Sequence, residues 1–244
     1  MFENIIIAID GSPAAADARA LATTLAAPGA AFLSAHVAEG HLETTEVEAD
    51  VTLSGSFAGA LDGLARERGA DLVVLGAHHH GHLWSSNHTH SALHHLSSSV
   101  AVAPVGYGAD DQVALRVIGV AYDETTPESE AALAAARRLA EPSSAEVRVI
   151  EVVRDSNLPS SESTQGWKAQ QASARLAELG GVTVTVLEGD PVHRLREAAE
   201  DLDLLALGQH HPSALAALLL DHTVDALAAH VTCPLLVVHA TGTA

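Results

Sequence analysis

The chain has 244 residues, 48% of them hydrophobic but only 3% aromatic, so its core is built from Ala, Val and Leu in regular elements, and disorder is excluded as the main state. Twelve Lys and Arg against 31 Asp and Glu leave a formal charge of -19, which repels a nucleic-acid backbone and anionic lipid alike, so neither nucleic acid nor a membrane is an expected partner. One cysteine, Cys233, excludes an intrachain disulfide, no apolar run approaches the roughly 20 residues of a spanning helix, and no leader-like opening is visible, so the expected compartment is cytoplasmic.

The predicted elements come in two rounds. The first opens with a strand near 4–9 that stops at Asp10, followed by a helix near 13–27 and strands near 31–37 and 46–53. A helix near 56–68 and a strand near 71–75 come next, and Val102–Tyr107, interrupted by Gly106, reads as the last strand. Only about eight polar residues link the second and third strands, too few for a crossover of roughly ten or more, so a helix is expected to be missing there. The third strand could accordingly be misplaced, irregular or reversed.

After a short linker at 106–111, the second round predicts strands near 115–122, 145–153, 182–187, 203–207 and 234–239. They alternate with helices near 127–140, 164–179, 191–200 and 214–230. Gly180-Gly181 closes one helix, and Asp190-Pro191 opens the next with a cap and a proline at its first position. Three landmarks tie the rounds together. Ala8-Ile9-Asp10 answers Ala121-Tyr122-Asp123, Ala70–Gly76 answers Leu202–Gly208, and Pro104 before Val105 answers Pro234 before Leu235. Strand and helix alternation implies parallel sheets with helices on both faces, in modules expected over residues 1–109 and 112–244.

A strand ending Ala-Ile-Asp-Gly-Ser, a second ending Ala-His-Val, Gly-Asp-Pro before a helix, Asp-Leu-Leu-Ala-Leu-Gly and a closing Cys-Pro-Leu-Leu-Val-Val together resemble the universal stress protein family, here in tandem. The resemblance implies two open five-stranded sheets of order 3-2-1-4-5, the first module lacking a helix. It also implies a cytoplasmic stress-response regulator, with no catalytic role, that acts through ligand-modulated protein interaction. Self-association through last strands, which a tandem chain can satisfy internally, is a further implication.

In nucleotide-binding members of that family, ATP lies at the carboxyl ends of the strands, where open α/β sheets generally bind ligands. The first-strand Asp and a backbone group ending the second strand hold adenine and ribose. These positions are Asp10 and Val37 in the first module, with Gly11 and Ser12 beside them, and Asp123 and Val153 in the second. The phosphates sit on Gly, two residues, Gly, nine residues, Gly, then Ser or Thr, because glycines let backbone N–H groups approach an anion. Gly76 and Gly208 begin that pattern. Counting from Pro104 places its end at Ser91 and Ala92, with Gly81 in the middle only if two residues are inserted. In the second module the remaining positions are His211, Asp221 and His222, and a carboxylate there repels a triphosphate. Both nucleotide sites read as degenerate.

Residues 78–95 hold eight of the 16 histidines. His78, His79, His80, His82, His88, His90 and His94 are candidate ligands for zinc or another divalent transition metal, because neutral imidazole suits those ions. His80 with His82 and His88 with His90 fall on one side of an extended segment, and His90 with His94 on one face of a helix. A divalent-metal module is therefore the alternative function, a solvated loop without ligand the bland one, and a ligand-free scaffold the third. Asp10 also has a purely structural reading as the cap of the following helix. Cys233 reads as a buried thiol.

Overall fold

The computed structural model describes residues 1–38, 47–77, 85–109, 114–123, 126–153, 170–209, 224–228 and 232–239. They form two compact units, Met1–Ala114 together with Pro234–His239, and Leu115–Cys233.

The first unit begins with β1 (Phe2–Ala8), α1 (Ala14–Leu25), β2 (Ala26–Ala38) and β3 (Val51–Ser54). It continues with α2 (Phe57–Arg68), β4 (Leu72–Gly76), α3 (Ser85–His95) and β5 (Ser99–Ala103). Its sheet runs β3-β2-β1-β4-β5, then β10 (Leu235–Val238). All pairs are parallel except β10 on β5, which is antiparallel with Leu236 opposite Ala101. The order 3-2-1-4-5 is thus present, and the pairing of last strands expected from the family resemblance is found within this unit.

Ile5, Ile6 and Ile7 and the Leu72–Leu75 run are buried on both sides of the sheet, as central parallel strands require. Right-handed crossovers send the β1–β2 helix to one face and the β3–β4 and β4–β5 helices to the other. Accordingly α1 packs on β1, β4 and β5, while α2 packs on β2, β3 and α3. Ala14, Ala18, Leu21, Ala22 and Leu25 form the buried stripe of α1 at helical spacing.

In the second unit, β6 (Val117–Ala121), α4 (Pro127–Ala140), β7 (Glu146–Val153), α5 (helical over 170–176) and β8 (Thr183–Glu188) follow the predicted alternation. α6 (Pro191–Ala199), β9 (Leu204–Gly208) and α7 (224–228) complete it. The strands lie in the order β9-β6-β7-β8, all parallel. Asp190 caps α6 by accepting from His193 N at 3.0 Å, as its Asp-Pro start predicts.

Three expectations are corrected. First, the last strand of the first round is Ser99–Ala103, not Val102–Tyr107, and it precedes Pro104, whereas β10 follows Pro234. Gly106 lies in a turn at φ 83°, a conformation that favours glycine. Second, β2 starts at Ala26 rather than 31. Its register to β1 jumps from Phe2–Ala26 to Asn4–Ala31, so the Pro28-Gly29 step bulges outward, with Gly29 at φ 80°. Third, of the alternatives for the third strand, misplacement holds: β3 lies parallel to β2 and starts at Val51, later than expected. Residues 39–46, where a crossover helix was expected to be missing, are outside the described residues. The closing strand β10 pairs with β5 and clusters with the first compact unit.

The shared landmarks have structural roles. The Asp71 carboxylate accepts from Glu3 N (2.8 Å) and Asn4 N (3.0 Å), and Asp203 accepts from Arg116 N and Val117 N (both 2.8 Å). In each copy, the aspartate before the fourth strand holds the start of the first. Ser34 and Asp50 form a further clamp: Ser34 N (2.8 Å) and Oγ (2.6 Å) donate to the carboxylate, and Asp50 N returns 3.0 Å to Oγ. Those donors hold the Asp50 carboxyl below its usual range, with nearby Arg19 a smaller influence. Its contribution is present above the unfolded pKa and fades as pH falls through the lowered value. No helix among the described residues is long and apolar enough to cross a membrane.

Candidate functional site

In an order 3-2-1-4-5, successive crossovers leave β1 and β4 in opposite directions, so a crevice opens beyond their carboxyl ends. In the first unit, its floor is the turn after β1. Ile9 N extends the pairing to Ala35 O at 2.9 Å, and the Asp10 carboxylate accepts from Ser12 N at 3.0 Å. Asp10 therefore organises its own turn, while its residue remains exposed. Gly11 sits at φ 77°, and a Cβ there would lie 3.3 Å from Val47 Cγ2, so the segment entering β3 passes close over this turn. The Ser12 hydroxyl oxygen is buried without a hydrogen-bond partner among the described residues.

One wall is the end of β2. His36 is 8% exposed, and its Nδ1 lies 3.0 Å from Ile9 O. A carbonyl only accepts, so Nδ1 carries the proton, and the ring ties the ends of β1 and β2. Val37, next along, is buried and pairs with Leu53. The opposite wall is Gly76. A Cβ at that position would overlap the Ala14 carbonyl, so the absent side chain lets α1 start directly against β4.

Ser91 and Ala92 do not join this crevice as the ends of a phosphate loop. They are the seventh and eighth residues of α3, Ala92 is 0% exposed, and Ser91 O accepts from His95 Nδ1 at 3.0 Å. The misplacement follows from the Pro104 landmark. With β5 aligned on β10, the motif's last two positions fall on Ser85 and Ser86, where α3 begins. Leu204 follows Leu72 by 132 positions, but Leu235 follows Ser99 by 136. The first copy is thus four residues shorter here, rather than two longer. Gly81, His78, His79, His80 and His82 lie outside the described residues.

At the equivalent end of the second unit, backbone groups of Asp123 and Val153 are taken by hydrogen bonds within the unit. Asp123 N donates to Ser129 Oγ (3.0 Å), Asp123 O accepts from Thr126 N and Oγ1 (both 3.1 Å), and the two hydroxyls lie 2.8 Å apart. Tyr122 OH donates to Glu130 Oε1. The Val153 carbonyl is taken by Gly189 N at 3.0 Å. A Cβ on Gly208 would overlap the Glu128 carbonyl, repeating the Gly76–Ala14 contact and bringing an acidic residue to the strand end. His211, Asp221 and His222 are outside the described residues.

Four histidines lie on α3. His88 stacks on Phe57 of α2, ring centroids 4.2 Å apart and planes 8° from parallel. His95 is bonded to Ser91 O. His90 and His94, one turn apart, bring their ring centroids within 4.4 Å at an interplanar angle of 50°.

Sequence reasoning missed Asp17, a buried carboxylate of α1 that accepts from Gly106 N (2.9 Å) and Gly108 N (2.7 Å). A charged residue four positions before Leu21 in the helix expected near 13–27 was the available signal. Cys233 is 5% exposed, and burial pushes its thiol up to about 12. It is expected to resist a water-soluble disulfide reagent at pH 8 and to react at once after denaturation; fast labelling of native protein counts against that burial. Because its pKa is raised on folding, this group costs nothing below the unfolded value near 9 and opposes folding as pH climbs from there toward 12.

No curated protein matches this sequence. Among solved structures, a universal stress protein from Archaeoglobus fulgidus DSM 4304 shares 14% identity over 97% of this chain and 96% of that chain, with a TM-score of 0.64. A functionally unknown protein from Pseudomonas aeruginosa PAO1, also at 14% identity, covers 98% of this chain and 92% of its own, with a TM-score of 0.67. At such identities they establish the fold over the whole chain. The universal stress protein family itself matches residues 114–239. With the strand order of that match repeated by β1–β5, the chain belongs to the universal stress protein family and carries its module in tandem.

Proposed function

We propose that this protein is a stress-response regulator whose first copy retains the adenosine-holding half of a nucleotide site and has lost the half that holds a triphosphate. The supporting observation is the segment between Gly76 and the start of α3 at Ser85. It has eight residues, where the family spacing has twelve between its first and last glycines. A phosphate cradle needs several N–H groups converging on one anion, and a shorter segment with His79 and Ser85 at the later glycine positions supplies fewer. Asp10, the Val37 backbone and the Ser12 hydroxyl remain around the other half. In the second copy, Asp123 spends its backbone groups on its own turn, the Val153 carbonyl is taken by Gly189 N, and Asp221 adds a repelling carboxylate. Occupancy of the first site then biases which protein partner is engaged, and ATP hydrolysis is not expected.

Calorimetric titration with adenosine, AMP and magnesium-ATP checks this. AMP is expected to bind at least as tightly as ATP, and Asp10→Ala to weaken adenosine and AMP by about tenfold through loss of a charged hydrogen bond. ATP binding tenfold tighter than AMP overturns the reading, and binding of none of the three leaves a ligand-free scaffold.

A second reading, a divalent-metal module on the His-rich segment, is supported by the adjacency of His90 and His94.

A further inference from the structure

The four histidines of α3 are not equivalent, and their differences select a ligand set. His88 gives its ring face to Phe57. His95 commits Nδ1 to the Ser91 carbonyl. His90 and His94 present two imidazoles on one helix face, 4.4 Å apart at their centroids, and the 50° tilt keeps them out of a parallel stack. His90 is exposed and His94 half-buried, so an ion reaches the pair from solvent without any opening of the fold.

We propose that His90 and His94 chelate one divalent transition-metal ion on the face of α3, and that His88 is not a ligand. The proposal rests on the second reading above and gives it named ligands. Two nitrogen donors bound at ~2.0–2.1 Å to a tetrahedral zinc lie about 3.3 Å from one another, which side-chain rotation from the observed ring separation can reach. One turn of helix fixes both donors in advance, so the second bond forms at high effective concentration. Imidazole nitrogen selects zinc, nickel or copper and leaves magnesium and calcium unbound. A metal bridging one turn also cross-links the helix that leads into β5, so its binding stiffens α3. Protons compete for the same nitrogens, and binding weakens in acid.

The test is calorimetric titration of untagged full-length protein, purified without a metal column, with zinc chloride and separately with nickel chloride. His90→Ala and His94→Ala are each expected to weaken binding at this site by at least about tenfold, because either change leaves a single donor. The double variant should bind at least as weakly as either single one, and His88→Ala should bind like the wild type. His90→Gln and His94→Gln, which keep polar side chains of similar reach, guard against loss through misfolding; they should give the same result with unchanged thermal unfolding in chelator. Wild-type affinity in the double variant overturns the proposal while leaving metal binding elsewhere in residues 78–95. Absence of binding by the wild type overturns both the proposal and the reading beneath it, and a loss in His88→Ala equal to that in His90→Ala overturns the assigned pair.

Discussion

Gly76→Ala and Gly208→Ala are each expected to destabilise the protein by about 3 kcal/mol, read from denaturant unfolding. The added methyl at Gly76 would meet the Ala14 carbonyl group, with the Ala14 Cβ also 2.8 Å away. At Gly208, it would meet the Glu128 carbonyl group, with the Glu128 Cβ at 2.7 Å. These obstacles are largely backbone in the first turn of a helix, so relief requires moving the helix off the sheet. Two comparators set the scale. At Gly119, the obstacle is the Leu202 side chain, which can rotate, so Gly119→Ala should cost less. Gly63, in the interior of α2 with nothing within 4 Å, should instead gain roughly 0.5–1 kcal/mol as Ala. A Gly76→Ala protein within 1 kcal/mol of wild type would show that α1 yields easily. The functional corollary is that this glycine is required by packing even where no phosphate binds. Its presence at the head of a phosphate-loop pattern is therefore not evidence of a nucleotide.

Asp17→Ala is expected to cost about 3–4 kcal/mol, because it strands the N–H groups of Gly106 and Gly108 beside α1. Asp17 is 6% exposed, and its two oxygens each serve one of these donors, at 2.9 and 2.7 Å. Tyr107, between them, adds a hydroxyl bond of 3.3 Å to Thr24 Oγ1. Asp17→Asn keeps the shape and one acceptor but turns an NH2 toward one donor, so its loss should be about half as large. Equal stability of Asp17→Ala and wild type would mean that the turn after β5 finds water for both groups.

The sequence showed most of the sheet because its central strands are continuous apolar runs and its two rounds repeat. Asn4–Asp10 and Ala70–Gly76 were readable as strands for that reason, and Asp71 and Asp203, in the second pair of matched landmarks, proved to be clamps on the strand starts. The start of β2 was hidden because Ala26–Ala31 contains Pro28 and Gly29 and no β-branched residue, so the bulged half of the strand resembles a loop. The fifth strand was displaced because a Pro-apolar pair was matched between the rounds although one proline ends a strand and the other begins one. That single misalignment carried the expected loop ends from Ser85-Ser86 into the middle of α3, at Ser91 and Ala92. Spacing identified His90 and His94 as neighbours, but it could not distinguish them from His88, whose partner Phe57 lies 31 positions away.

The position of β10 has a consequence for how the chain acquires its structure during synthesis. Residues 1–109 contain five strands of the first unit's sheet, but the sixth strand is made from Leu235–Val238. Until those residues leave the ribosome, one edge of β5, whose residues Val100–Ala103 are all buried in the finished structure, lacks its partner. An unpaired apolar edge is a template for wrong pairing with other nascent chains. The amino-terminal half, though translated first, thus keeps this apolar edge open until Leu235–Val238 are made, and its early segments are ones that a chaperone would have to shield.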